Sequence, residues 1–246
     1  MNRICFLPLT VIISLTFACC NRVRQVGSRT DTLSAAMLHP YGRTLLNDNS
    51  IELIGSASHV GFTFTGLQCN VLLSLRNKEA HNYIQYELDG VYQTRVKING
   101  RDQKPIVVRA NRAGTHTAWI YKATEAHSGP IFIEGITGTG LKGLAQPDRP
   151  LIEFIGNSIT CGAAADPSET ACGAGVYHDQ HKAYNAYGPR VARALGTNYI
   201  LSSISGIGIY RNWNTDGPTM PQVYEKADFQ FEGNRLWNFA TYKRNV

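Results

Sequence analysis

The sequence has few charged residues, no Cys-x-x-Cys pair and no run of five or more basic residues. Without Cys-x-x-Cys pairs, the usual pattern of a structural zinc site is missing, and no metal is expected. Because the 24 Lys and Arg residues are spread along the chain, the net charge of +6 forms no stripe that could follow nucleic-acid phosphates. Charged residues make up 17% of the chain and apolar residues 43%, which excludes wholesale disorder and indicates a globular protein.

Long apolar runs are also scarce. The longest nearly unbroken one, from Ile4 to Ala18, has 15 residues, which is short for a bilayer-spanning helix. Because Arg3 precedes it, residues 1–20 are predicted to be an export signal. The small residue at its end is followed by Cys19 and Cys20, which resembles the cleavage site of bacterial lipoproteins. We therefore predict an exported, membrane-anchored lipoprotein, with plain secretion to the periplasm or the outside as the alternative.

Three cysteines follow the predicted signal: Cys69, Cys161 and Cys172. An oxidising compartment would permit a disulfide between Cys161 and Cys172, which are eleven positions apart. Cys69 would then remain unpaired.

The first half of the chain has the pattern of an all-β domain. At 246 residues the chain exceeds the usual domain size of about 100–150 residues, so two domains are expected. After a polar leader at 21–34, residues 35–145 are predicted to form a jelly roll or sandwich. Asp89-Gly90 and Asn99-Gly100 favour the positive φ angles of tight hairpins. Strands are indicated by alternating apolar residues (Val60, Phe62, Phe64; Ile84, Tyr86, Leu88) and by segments 106–109, 117–121 and 131–136.

The second half has a strand–helix–strand pattern. Gly138–Gly140 and Gln146–Pro150 are predicted to be a linker, and residues 150–246 a second, α/β domain. A strand is predicted at 151–155 and another at 199–201. Between them, four residues recur at helical spacing before Gly196, a residue typical of helix ends: Tyr184, Tyr187, Val191 and Leu195. This order predicts a parallel sheet flanked by helices, whose reactive groups gather beyond the carboxyl ends of its strands.

Ser158 lies just beyond the end of the first of these strands, in the sequence Phe-Ile-Gly-Asn-Ser-Ile-Thr-Cys-Gly. A serine there is a nucleophile only if a base can take its proton and N–H groups await the developing oxyanion. It could equally be a turn serine, since Ser and Asn are common in turns. The Gly-x-Ser-x-Gly nucleophile elbow does not fit, because Thr160 stands in place of the last glycine.

A family resemblance favours the nucleophile. Leu151–Thr160 resembles the first block of the SGNH, or GDSL-type, hydrolases, with Asn157 in place of the usual Asp. Ser203–Gly206 resembles their second block. Further stretches resemble carbohydrate esterase family 2, which combines an N-terminal jelly roll with an SGNH domain built on a flavodoxin-like parallel sheet: Gly206–Trp213, and Gly114–His116 together with Lys122–Glu125.

The resemblance implies a serine esterase, without a cofactor, that removes acetyl groups from plant-type polysaccharides such as xylan or glucomannan. It implies that Ser158 is the nucleophile and that the N–H groups of Ser158 and Gly206 are two of the oxyanion donors. SGNH enzymes supply a third donor, from Asn, and a base, from His, in later blocks. These blocks are expected beyond Val246, so the SGNH domain is expected to be truncated and the 246-residue chain inactive.

The alternative is a catalytically inactive fragment or a carbohydrate-binding surface lipoprotein. On that interpretation Gly206 is only a strand-ending glycine. Tyr210, Trp213 and Trp237 could stack on sugar rings, but large aromatic residues are more often core, and core positions are the favoured interpretation for all three.

His178 and His181 are the histidines nearest to Ser158 in the sequence. They could supply a base, or their three-residue spacing could suit a metal, but the sequence marks no third ligand. A polar loop or the first turn of a helix is the favoured interpretation. The other histidines lie in the predicted β domain, where surface or turn positions are expected: His39, His59, His81, His116 and His127.

Overall fold

The structure is a computed structural model and describes residues 30–102 and 104–241. The predicted export signal lies outside these residues, so the lipoprotein prediction stays a prediction. Within the described ranges, no helix is long and apolar enough to cross a bilayer.

Residues 31–144 form nine strands of one antiparallel sheet. The strand order is β2-β3-β9-β4-β8-β5-β6, with β1 added to β9 and β7 added to β4. The strands are β1 (Asp31–Ser34), β2 (Thr44–Leu46), β3 (Ile51–Leu53), β4 (His59–Ser74), β5 (His81–Leu88), β6 (Val91–Asn99), β7 (Ile106–Arg109), β8 (Thr115–Lys122) and β9 (Ile131–Leu144). The predicted antiparallel β fold is confirmed, but it begins earlier than expected, because β1 comes from the predicted leader.

The long strand β4 organises the core of this sheet. Its alternating residues Val60, Phe62 and Phe64 are fully buried, as the sequence pattern predicts. Residues 59–65 pair with β8, residues 68–71 pair with β7, and Gly66 between them has a φ of +115°. A glycine permits the bend at which β4 changes its partner from β8 to β7. Both partners therefore belong to one continuous sheet around the core.

One of the two hairpin predictions is confirmed. Asp89 and Gly90 have φ angles of 52° and 78° and connect β5 to its neighbour β6. The prediction for Asn99-Gly100 was wrong, because the strand that follows, β7, pairs with β4 and not with β6. The linker predicted at Gly138–Gly140 was wrong as well, since β9 continues through it to Leu144. Turn residues indicate where a strand ends or bends, but its partner depends on the whole sheet.

The second half contains a parallel strand pair. β10 (Leu151–Gly156) and β11 (Asn198–Ser203) pair in parallel. The short helix α1 (Ser158–Cys161) follows β10, α2 (Tyr187–Leu195) precedes β11, and α3 (Met220–Val223) comes later. The predicted strand–helix–strand order is confirmed, including the end of α2 at Gly196, which has a φ of 66°.

The face of α2 that packs on the strands differs from the predicted one. Its buried residues are Gly188, Pro189 and Ala192. A Cβ at Gly188 would lie 3.0 Å from side-chain atoms of Phe154 and Leu201, so the helix approaches the strands closely through small residues. The larger side chains of the predicted apolar face are exposed instead: Tyr187, Val191 and Leu195.

A buried arginine joins the two halves. Arg43, between β1 and β2, donates hydrogen bonds to Ser202 Oγ at 2.9 and 3.1 Å and to the carbonyls of Tyr224 and Lys226 at 2.7 and 3.1 Å. Its guanidinium lies 3.9 Å from the centre of the Trp237 ring. The planar guanidinium can make all these contacts at once, because its donors point outward as a fork while its face stacks on an aromatic ring.

Glu153 completes this cluster from β10. Its carboxylate lies 3.9 Å from the Arg43 guanidinium and accepts hydrogen bonds from Ser202 Oγ and Tyr224 Oη, both at 2.6 Å. The arginine charge is therefore balanced by a carboxylate whose oxygens are themselves hydrogen-bonded, as a buried ion pair requires.

We expect Arg43→Met to lower the free energy of unfolding by about 3–5 kcal/mol, because it removes the positive charge that balances Glu153 and the donor to two buried carbonyls. Arg149→Met, at an exposed arginine, is the control and should change it by less than about 0.5 kcal/mol. Urea unfolding followed by tryptophan fluorescence measures both. Equal midpoints for Arg43→Met and the wild type would contradict the role given to Arg43.

Candidate active-site cleft

Ser158 is presented by a tight turn from β10 into α1. Asn157 caps the helix, since its side chain accepts a hydrogen bond from the N–H of Ile159 at 3.3 Å. Gly156 is needed at the end of the strand, because a Cβ there would collide with the side chain of Thr160. Gly162, with a φ of 85°, ends the helix after a single turn. Asn157 therefore shapes the turn, as expected for a residue in the Asp position of the resembled block.

Gly206 follows β11 at the same edge of the strand pair. The parallel register sets Gly156 beside Ser203, so the loops that carry Ser158 and Gly206 leave the strands side by side. Gly206 has a φ of 79°, and its carbonyl accepts a hydrogen bond from the N–H of Trp213 at 2.9 Å. That bond folds the following segment back toward the end of the strand.

The two loops line one cleft of about 1730 Å³, which also includes Trp213, Glu125 and His127. Trp213 is 78% exposed at its wall, whereas Tyr210 is 92% exposed and outside the lining residues. Trp237 is 6% exposed and belongs to the core, so the favoured core interpretation is confirmed for Trp237 and was wrong for Trp213 and Tyr210. The structure thus brings Ser158, Gly206 and Trp213 together and leaves Tyr210 apart from them.

No histidine contacts Ser158 in the described part of the chain. All seven histidines lie within that part, and His127 is the one that lines the cleft. His181 is fully buried, and burial lowers its pKa to about 4. Burial also lowers the pKa of His178. Both are therefore neutral at pH 7, and neither lines the cleft.

Glu125 is the cleft residue whose role the sequence did not indicate. It is buried, and its Oε2 accepts a hydrogen bond of 2.6 Å from the N–H of Ser205, directly before Gly206. The same oxygen lies 3.4 Å from the thiol of Cys161, at the end of α1. One carboxylate from the β-sheet half therefore contacts both elements that carry the candidate site. In the sequence, Lys122–Glu125 stood out only because it resembles carbohydrate esterase family 2. Nothing in the spacing of its residues predicts where the Glu125 carboxylate points.

The three cysteines within the described ranges are free thiols, so the disulfide considered between Cys161 and Cys172 is not formed. Cys161 is buried beside Glu125 and lies 3.3 Å from Ser203 Oγ, whereas Cys172 is exposed. Burial and the Glu125 charge raise the pKa of the Cys161 thiol, which keeps it protonated as a donor. Cys69 is buried in the β sheet and is also a free thiol.

A buried lysine supports the segment that carries Glu125. The ammonium group of Lys122 donates to the carbonyls of Thr124 and Glu125 at 3.1 and 2.6 Å, and it lies 3.0 Å from Ser128 Oγ. Burial lowers its pKa to about 7, although the charge of Glu125 acts in the opposite direction. The folded protein therefore buries an ammonium group at a position where its positive charge costs free energy.

This burial predicts a pH dependence of stability. Since the Lys122 pKa is about 7 in the folded state and 10.5 when exposed, the unfolded chain binds more protons between these values. The free energy of unfolding should therefore rise from pH 7 to 8.5, with a contribution approaching about 1.4 kcal/mol per pH unit. Above that window the buried thiols oppose the trend, because their pKa values are raised.

Lys122→Met should flatten the rise, and urea unfolding at a series of pH values measures it. The quantity compared with the wild type is the slope of the free energy of unfolding against pH. A uniform loss of stability in the variant does not change this slope. The same slope in both proteins would show that Lys122 does not titrate in this range.

Comparisons with known proteins agree with this architecture. Residues 41–147 match the family model described as carbohydrate esterase 2 N-terminal. An acetylxylan esterase / glucomannan deacetylase of Cellvibrio japonicus is 26% identical over 231 residues, which cover 91% of this chain and 63% of that protein. Another protein of the same description and organism is 32% identical over 125 residues, covering 50% of this chain and 35% of its own length.

Solved structures share the fold. A family two carbohydrate esterase from Clostridium thermocellum, in complex with cellohexaose, has a TM-score of 0.72 and 25% identity, covering 84% of this chain and 63% of that one. A family two carbohydrate esterase from Cellvibrio japonicus has a TM-score of 0.72 and 24% identity, covering 88% and 65%. This chain spans less than two thirds of the length of these structures.

The predicted resemblance to carbohydrate esterase family 2 is confirmed. The antiparallel sheet of this chain matches the N-terminal β domain of the family.

Proposed function

We propose that this protein is a serine esterase that removes acetyl groups from polysaccharides such as xylan or glucomannan, and that residues 150–246 belong to an SGNH-type domain. The observation that carries the proposal is the meeting of Ser158 and Gly206 in one cleft, beyond the carboxyl ends of two parallel strands. The descriptions of its relatives as acetylxylan esterases and glucomannan deacetylases support the substrate class.

In the proposed reaction Ser158 Oγ attacks the carbonyl carbon of the acetyl ester. The sugar oxygen leaves with a proton, and an acetyl-serine remains that water then hydrolyses to acetate. The negative oxygen of each tetrahedral intermediate would be held by the N–H groups of Ser158 and Gly206. Among the described residues neither N–H has an acceptor, so both can donate to an oxyanion.

A base must take the Ser158 proton. The hydroxyl group has no hydrogen-bond partner in residues 30–102 and 104–241, so the described part of the chain supplies none in contact with it. The family resemblance assigns the base to a histidine of a later block, and the proposal keeps that assignment.

Glu125 acts as a positioning residue in this scheme. Its carboxylate holds Ser205, and therefore the neighbouring N–H of Gly206, from one side, and it contacts Cys161 of the helix that carries Ser158 from the other. Donors that are fixed before the substrate arrives stabilise the transition state without reorganisation.

Trp213 is the proposed sugar platform. An indole ring that is 78% exposed at the cleft wall can remove apolar surface from water by stacking against a pyranose face, and it offers a large flat contact area. Tyr210, which is nearly fully exposed in the same loop, is proposed as a second contact for a longer chain outside the cleft.

Ser158→Ala should lower acetate release from acetylated xylan at least about 10³-fold, because it removes the covalent nucleophile. The measurement uses the protein as it is naturally produced, and Ser50→Ala, in the turn between β2 and β3, is the control. Xylo-oligosaccharide binding to Ser158→Ala should stay within about 3-fold, while Trp213→Ala should weaken it about 10-fold.

Unchanged turnover in Ser158→Ala would reject the nucleophile. Sugar binding without any acetate release by the wild type would favour the carbohydrate-binding alternative.

His127→Ala tests the assignment of the base. Because His127 is exposed at the cleft rim and comes from the β-sheet half, we expect its loss to raise KM while kcat stays within about 3-fold. Initial rates over a range of acetylated oligosaccharide concentrations measure both constants, with His39→Ala, at an exposed histidine, as the control. A loss of kcat of about 10²–10⁴-fold would instead make His127 the general base.

A further inference from the structure

Three side chains of types that can bind a metal ion lie close together outside the cleft. His81 begins β5, and His178 and Asp179 lie in the 3-10 helix Tyr177–Gln180. One ligand atom from each of the three lies within 4.8 Å of the others. The rings of His81 and His178 have centroids 4.6 Å apart, and His81 Nε2 lies 2.5 Å from Asp179 Oδ1.

One of these three residues has a ring nitrogen without a hydrogen-bond partner. In the described part of the chain, His178 Nε2 is buried without a hydrogen bond. A buried nitrogen that gives up water without gaining a protein partner costs free energy, and a metal ion would supply the missing interaction.

We propose that His81, His178 and Asp179 bind a divalent transition-metal ion, with Zn²⁺ as the best match. Two imidazole nitrogens and one carboxylate oxygen form the donor set of a three-ligand zinc site, whose fourth position takes water. Mg²⁺ and Ca²⁺ prefer oxygen donors, so the two histidines favour zinc. The ligand atoms of tetrahedral zinc are about 3.3 Å apart, so binding needs His81 Nε2 to withdraw from Asp179 by roughly 1 Å.

Neighbouring groups already hold the carboxylate. Tyr83 Oη donates to Asp179 Oδ1 at 2.8 Å, and the N–H of Val176 donates to Oδ2 at 3.0 Å. Such outer contacts fix the orientation of metal ligands. Arg95 contacts the carbonyl of Asp179, and its own charge is paired with Glu169 at 2.9 Å.

The ion would fasten two distant segments together. His81 belongs to the β sheet, whereas the 3-10 helix also carries Tyr177, which lines the cleft and lies 3.0 Å from Ser205 Oγ through its hydroxyl group. Because none of the three ligands lines the cleft, the proposed metal site is separate from the candidate active site, and its test needs no measurement of activity.

The test is a Zn²⁺ titration of untagged, metal-free protein by calorimetry, with Cys172→Ser in every sample so that the exposed thiol cannot bind zinc. We expect one ion per chain with a Kd below about 1 μM, and a higher Tm with zinc. His178→Ala and His81→Ala should each weaken binding at least about 10-fold, whereas His39→Ala should not. Co²⁺ in place of zinc should give the visible absorption of a tetrahedral site.

Circular dichroism of the metal-free variants separates lost binding from lost folding. If His178→Ala does not fold, the more conservative His178→Gln takes its place. The proposal is overturned if the Cys172→Ser protein with both histidines intact shows no saturable binding, if it binds only at millimolar zinc, or if binding survives both histidine substitutions unchanged.

Discussion

The candidate site depends on one buried guanidinium. Arg43 lies between β1 and β2 of the antiparallel half. Its side chain donates hydrogen bonds to the second half of the chain, to Ser202 of β11 and to two backbone carbonyls that follow β11. Ser202 is four residues before Gly206, so the strand that is anchored by Arg43 leads directly into the loop with the proposed oxyanion donor. A buried charge can be satisfied only in a narrow range of positions, and this restricts how the two halves fit together.

Glu125 adds a second such constraint at the cleft itself. Its carboxylate and the ammonium of Lys122 are both buried in the same short segment, although no direct bond joins them; each is bonded to backbone or hydroxyl groups. Burying these groups costs stability compared with apolar packing. What it contributes is a fixed position for Ser205, and hence for the loop that ends at Gly206. The β-sheet half is therefore part of the candidate site.

Much of the secondary structure follows from local patterns. Period-two alternation predicts β4, the Asp89-Gly90 turn predicts the β5–β6 hairpin, and Gly196 marks the end of α2, because each depends on residues adjacent in the sequence. Prediction fails where partners are distant. Asn99-Gly100 resembles a hairpin turn, but the next strand finds its partner in β4.

By itself the sequence determined the positions of Ser158 and Gly206 at strand ends, since a strand–turn pattern is local. Only the tertiary structure decided that Glu125 touches both of their loops, because its bond to Ser205 spans 80 positions of the chain. It also brought His81 to Asp179, 98 positions away. Side chains so far apart meet only when the sheet closes and the two halves pack, and no spacing in the sequence carries that information.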